Sequence, residues 1–121
     1  HQESKRALLD VLARQAVLIA GLKTALDLYA EPLAQASLTK VHRHLRILHD
    51  RMMEAVVSAD LEIVVPLGDA FDSVSDLVDV TGWRHDARFT EEVVAEVIEP
   101  IIRHEGTVLR LGRVVMGAPP G

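Results

Sequence analysis

The sequence predicts an α+β fold, with a helical hairpin that forms a dimeric four-helix bundle and a small C-terminal β-rich wing domain. Two observations support this prediction. Apolar residues recur every three or four positions through the first half of the chain, as in amphipathic helices. After Ala59, β-branched residues instead form short runs separated by Pro and Gly. We therefore expect a helical dimerisation region at residues 1–58 and a β-wing domain at residues 59–121.

The first helix is predicted from Ser4 to about Tyr29. Its apolar residues follow one another at spacings of four and three, a heptad pattern, and a second row seven residues apart widens the apolar stripe. The two rows are Leu8, Leu12, Gln15, Ile19, Leu22, Leu26 and Tyr29, and Val11, Leu18 and Ala25. A stripe of this width is typical of a bundle helix. Glu31 and Pro32 predict a break in the helix.

A second helix is predicted to begin near Ser37, a residue favoured at the N-cap, and to end near Val57. The same rhythm recurs in it at Leu38, Val41, Leu45, Leu48, Met52 and Ala55. A connection of about eight residues between two such helices indicates an antiparallel hairpin.

Two helices alone make a thin layer, and each leaves part of its apolar stripe uncovered. A second copy of the chain would cover both stripes, so we expect a homodimer. The predicted dimer interface consists of Leu8, Leu12, Ile19, Leu22, Leu26, Leu45, Leu48 and Met52.

The second half of the chain is predicted as strands and irregular segments. A short strand in "LEIVVPLGD" is stopped by Pro66 and Gly68. The next twenty residues are polar and are expected to be irregular, and Trp83 is expected to seal the junction of bundle and wing rather than to bind a ligand. The apolar anchors of that segment are Val74, Leu77, Val78 and Val80. Residues 90–99 fit a helix or a strand, and the β-branched content, Pro100 and the turn "HEGT" favour a β-hairpin.

Composition argues against several classes of function. The net charge of -5 lacks the basic character that phosphate backbones require, and aromatic residues, at 3%, are too few for base stacking. Because the chain has no cysteine, disulfides and thiolate chemistry are excluded. The longest apolar run is far shorter than the ~20 residues of a membrane span. We expect a cytoplasmic protein with no nucleic-acid or membrane partner.

No residue pattern predicts a catalytic site, a metal site or a cofactor. His42, His44 and His49 are close in sequence, but their spacing does not bring them to one side of a helix at ligand distance. Four acidic residues, Asp69, Asp72, Asp76 and Asp79, crowd one segment without a nucleophile or a polarising group. An enzyme that uses these carboxylates is the least favoured interpretation.

Three stretches resemble the GrpE family, the nucleotide-exchange cochaperones of DnaK-type chaperones. "ALLDVLARQAVLIAGLKTALDL" resembles the first bundle helix of that family, and "LTKVHRHLRILHDRMMEAVVSADLEIV" resembles the second helix and the short strand that follows. The terminal "VIEPIIRHEGTVLRLGRVVM" resembles the closing ribbon, with Gly106 as the turn glycine. Ile101 and Ile102 replace a Gly-aromatic pair of the family, so the resemblance is to a divergent member.

The resemblance implies a function without bond chemistry. In the family, the ribbon is a wing that binds the nucleotide-binding domain of the chaperone and favours the open state from which ADP leaves. The expected partner-binding residues are Ile102, Arg103, Val108, Leu109 and Arg110. The alternative is an oligomeric helical scaffold or regulatory domain that has no chaperone partner, in which the ribbon serves assembly only.

Overall fold

The computed structural model describes residues 2–121 and shows an α+β protein in two compact units, one ending at Glu62 and the other comprising Ile63–Gly121. In chain order the elements are α1 (Gln2–Gln35), α2 (Thr39–Ser58), β1 (Leu61–Val64), α3 (Phe71–Val74), β2 (Val78–His85), β3 (Val93–Glu99), β4 (Ile101–His104), β5 (Thr107–Arg110) and β6 (Gly112–Ala118). The two predicted helices are confirmed, as is the short strand after them.

The first helix is longer than predicted, because the break expected at Glu31 and Pro32 does not occur. Pro32 lies in the last turn, where it removes only one hydrogen-bond donor. The helix ends instead in a Schellman motif. The Leu38 amide donates to the Leu33 carbonyl at 2.8 Å, and the Ser37 amide donates to the Ala34 carbonyl at 3.0 Å.

Ser37 therefore terminates α1 and does not cap α2. Its φ of 64° is the left-handed conformation of the residue that follows a helix, a position usually occupied by glycine. The N-cap residue of α2 is Leu38, and no side chain caps this helix end. The N-cap prediction for Ser37 was wrong, and the connection between the helices is only residues 36–38.

The strands form two three-stranded sheets, with strand orders β1-β4-β5 and β2-β6-β3. Apart from the first two residues of β1, these strands belong to the second unit, which we call the β unit. The predicted terminal hairpin is confirmed, and the ribbon from Val93 is strand rather than helix. The ribbon bends at Pro100 and Leu111. On one side of the bend β3 pairs antiparallel with β6, and on the other side β4 pairs antiparallel with β5. Each half of the ribbon thus belongs to a different sheet.

Strand β2 was not predicted. The segment that was expected to be irregular contains α3 and an eight-residue strand that pairs in parallel with β6. The sheet packs its inner face into a core of Val74, Val78, Val94, Ile101, Val114 and Met116, with Leu77 and Val80 packed against it. The four predicted anchors are therefore core or core-flanking residues.

Trp83 lies in strand β2, so its assignment to a loop was wrong. Its side chain is half-exposed, and its ring centroid is 5.9 Å from that of Phe71. The pair forms a tilted aromatic contact at the edge of the β unit.

The turn at the tip of the terminal hairpin contains a glutamate in a backbone conformation that disfavours this residue. Glu105 and Gly106 have φ values of 50° and 82°, the type I′ combination that favours Asn-Gly. Because Asn tolerates the left-handed region better than Glu, we expect Glu105→Asn to raise the free energy of unfolding by about 0.5 kcal/mol. Urea titration measures this change. The matched control is Glu91→Asn, at an exposed position without a positive φ, and a Glu105→Asn variant no more stable than this control would contradict the turn assignment.

Candidate partner-binding surfaces

The helices of the hairpin contact each other through a seam that mixes apolar residues of α1 with polar residues of α2. On α2 the inward residues are His42, Arg46, His49 and Val56, and on α1 they are Ala13, Ala16 and Leu26. His42 Nε2 donates to the Leu26 carbonyl at 2.7 Å, and the Arg46 guanidinium donates to Asp27 Oδ1 at 2.7 Å. We call this set the inner seam. Sequence periodicity did not reveal it, because most of its α2 members are polar.

Asp27 forms salt bridges with two basic residues of the hairpin, Lys23 and Arg46. Hydrogen bonds from Lys23 and from Arg46 lower the pKa of its carboxyl from 3.8 to about 2. A lowered folded-state pKa stabilises the fold above pH 3.8, and this contribution is lost only as the pH falls toward 2. The Asp27 carboxylate therefore keeps its salt bridges with Lys23 and Arg46 at neutral pH. Because Asp27 is exposed, its contribution to stability is small.

His49 is the polar residue of the inner seam whose hydrogen bonding is incomplete. It is only 4% exposed, its Nδ1 lies 3.0 Å from Asp50 Oδ1, and its buried Nε2 has no hydrogen-bond partner. Leaving such a nitrogen unpaired costs about 1–3 kcal/mol. We expect His49→Leu to raise the free energy of unfolding by about 1 kcal/mol in chemical denaturation.

The control for His49 is His44→Leu at an exposed position of the same helix, where we expect no gain. A loss of stability in His49→Leu would contradict the cost that we assign to the unpaired Nε2.

Part of the apolar pattern on both helices stays exposed outside the inner seam. We call the exposed set the outer stripe: Leu8, Val11, Leu18 and Tyr29 on α1, and Val41, Leu45, Leu48 and Met52 on α2 together with its N-cap residue Leu38, with side chains 38–65% exposed. At about 100° per residue, the outer stripe lies roughly 100° around each helix from the inner seam. Within residues 2–121, the inner seam is covered by the other helix, whereas the outer stripe stays exposed.

Both halves of the outer stripe lie on one side of the hairpin. On each helix, the stripe is displaced from the inner seam in the same sense when viewed from the N-terminus to the C-terminus. Because α1 and α2 run antiparallel, equal displacements point to the same side of the two-helix layer. The exposed apolar side chains of both helices therefore share one face of the hairpin, and a grouped apolar patch of this kind is typical of a protein–protein contact.

The predicted dimer-interface residues divide into three groups. Leu8, Leu45, Leu48 and Met52 are exposed on the outer stripe, while Leu12, Ile19 and Leu22 are half-buried. Leu26 is only 3% exposed and belongs to the inner seam. Its assignment to an interface between copies is therefore corrected, because α2 already covers it.

The predicted partner-binding residues also differ in accessibility. Ile102 is completely buried, so its assignment as an exposed apolar anchor is corrected. Val108 is partly buried and packs against the core of the β unit. Arg103, Leu109 and Arg110 keep part of their surface on the hairpin β4–β5. The accessible part of the predicted site is thus polar and cationic at its centre.

The acidic side chains of the segment after β1 lie on the surface of the protein. Asp69, Asp72, Asp76 and Asp79 are all exposed. Within residues 2–121, no group of three or more histidine or acidic side chains is placed to hold a metal ion. The same residues contain no helix with the length and apolar character needed to cross a membrane.

No protein-family model matches the chain, and no curated protein matches it.

Proposed function

We propose that the protein is a GrpE-like nucleotide exchange factor. Two copies associate through their outer stripes, and the β unit binds the nucleotide-binding domain of a DnaK-type chaperone and promotes release of ADP. A cytoplasmic location belongs to the same proposal. Exchange of this kind needs no catalytic residue, metal or cofactor.

The order of elements is the observation that carries the proposal. A helical hairpin is followed by a short strand and a terminal ribbon, and the ribbon bends into a separate hairpin with a Gly106 turn. The resemblance implies this order for the family. The uncovered outer stripe supports the dimeric part of the proposal, because a second copy presents the same apolar face in return.

The expected mechanism is a population shift. A factor that binds the open state of the chaperone domain more tightly than the closed state raises the open population. The shift is limited by the difference between the two affinities, and a tenfold difference corresponds to about 1.4 kcal/mol. ADP then leaves more often, and no bond is made or broken by this chain.

Arg110 is the residue we expect to contribute most to chaperone binding. It lies at the end of β5 with its side chain 37% exposed, and its guanidinium can donate two parallel hydrogen bonds to a carboxylate. Arg103 and Leu109 lie near it on the same hairpin and add to the contact. Ile102 contributes indirectly, because its buried side chain stabilises the hairpin that carries these residues.

The test is the rate of ADP release from a DnaK-type chaperone, followed with a fluorescent nucleotide. We expect the protein to accelerate release, and we expect Arg110→Gln to remove most of the acceleration without changing the oligomeric state. Arg84→Gln is the matched control, because Arg84 is similarly exposed but bonded to Glu96. Acceleration that is equal in Arg110→Gln and the wild type would contradict the proposed binding surface.

A helical scaffold without a chaperone partner is the alternative. The outer stripe favours it as much as it favours an exchange factor, because self-association alone would cover this face. The same assay separates the two functions. An intact dimer that leaves ADP release unchanged, with any DnaK-type chaperone tried, would favour the scaffold.

A further inference from the structure

Three charged side chains from three strands meet at the bend of the terminal ribbon. Glu99 ends β3, Arg110 ends β5, and Arg113 is the second residue of β6. The guanidinium groups of Arg110 and Arg113 each lie 3.8 Å from the same oxygen, Oε1 of Glu99. The strand register explains the meeting, because Glu99 pairs with Arg113 and only Leu111 separates β5 from β6.

This cluster has one carboxylate for two guanidinium groups. At 3.8 Å the contacts are ion pairs rather than hydrogen bonds, so they leave the donors of both arginines available. Acidic residues dominate the rest of the β unit, since outside this cluster residues 63–121 contain nine acidic side chains and three arginines. The bend therefore places two cationic hydrogen-bond donors, the guanidinium groups of Arg110 and Arg113, side by side on an otherwise acidic unit.

The second arginine is the more exposed of the two. The Arg113 side chain is 49% exposed and that of Arg110 is 37% exposed, while Glu99 is largely covered at 27%. Asp79 lies beside Arg113 in the register of β2 and β6. It is the neighbouring carboxylate that would repel an incoming anion.

We infer that Arg110 and Arg113 together bind a carboxylate side chain of the partner protein, with Glu99 holding the two guanidinium groups side by side. This inference rests on the proposed function and adds Arg113 to its binding surface. Two adjacent guanidinium groups offer parallel donors that match the two oxygens of a carboxylate. The partner surface is thereby specified as acidic at this point, although the β unit itself is acidic overall.

The test is the affinity of the protein for the isolated nucleotide-binding domain of a DnaK-type chaperone, measured by calorimetric titration with and without ADP. We expect Arg113→Gln to weaken binding about tenfold and to reduce its salt dependence. We expect Asp79→Asn to strengthen binding. Arg84→Gln, at an arginine already bonded to Glu96, should bind as the wild type does.

The outcomes separate this inference from the proposed function. Wild-type affinity in Arg113→Gln, combined with weakened binding in Arg110→Gln, would overturn the inference alone. A wild-type protein that does not bind the chaperone domain would overturn the proposed function and the inference with it. A loss in Arg113→Gln that appears only when ADP is present would assign the bound anion to the nucleotide phosphates and would also overturn the carboxylate assignment.

Discussion

Leu48→Lys is expected to convert the protein from a dimer to a monomer. Leu48 lies on the outer stripe of α2 and is 42% exposed within one chain. In the proposed dimer its side chain is buried, and an unpaired ammonium group at that position has no acceptor. The cost of burying such a charge amounts to several kcal/mol per site, and a two-fold dimer contains the site twice. Sedimentation velocity at micromolar concentration measures the result.

The neighbouring residue gives a matched control for Leu48. Ile47 is 45% exposed, nearly the same as Leu48, but it points away from both the outer stripe and the inner seam. We therefore expect Ile47→Lys to remain a dimer. Equal behaviour of the two variants would mean that association does not depend on the outer stripe.

Ile101→Ala is expected to destabilise the β unit by about 2–5 kcal/mol. Ile101 is 1% exposed and lies in the core cluster at the bend of the terminal ribbon. Truncation removes buried methyl groups and leaves a cavity beside residues from three other strands. A loss of this size approaches the whole stability of a small domain, so the unit should be largely unfolded at 37 °C.

Ile98 supplies the comparison for the core variant. It is also an isoleucine and lies in β3, the strand that precedes β4 in the chain, but its side chain is 44% exposed. We expect Ile98→Ala to cost less than about 1 kcal/mol. Thermal unfolding followed by circular dichroism compares the two. An Ile101→Ala variant as stable as Ile98→Ala would contradict the described core.

The parts of the fold that were predicted from the sequence are those encoded by local periodicity. The apolar rhythm identified both helices, and the β-branched runs identified β1 and the terminal ribbon. Their ends were less well predicted. The end of α1 depends on backbone hydrogen bonds around Ser37, and neither Pro32 nor the residue type at position 37 indicates them.

Strand β2 was not predicted because its pairing partner is distant in the sequence. It pairs in parallel with β6, more than thirty residues later in the chain, and the register shifts between Val80 and Gly82. This bulge interrupts the alternation of apolar and polar residues that marks a strand. Thr81 instead bonds through its hydroxyl to the Val114 carbonyl at 3.1 Å. Such a contact has no signal in the local sequence.

The sequence could not show which residues of the candidate surfaces are buried within one chain. The heptad pattern does not show which part of a broad stripe faces α2, so Leu26 was placed in the wrong contact. The family resemblance likewise could not show that Ile102 is buried. Arg113 and Glu99 were overlooked because their meeting with Arg110 depends on the bend of the ribbon.

The mass of the protein in solution tests the central claim most directly, since that claim is that a second copy covers the outer stripe. Multi-angle light scattering at micromolar concentration is expected to give twice the 13.3 kDa of one chain. A stable monomer of 13.3 kDa under the same conditions would contradict the account.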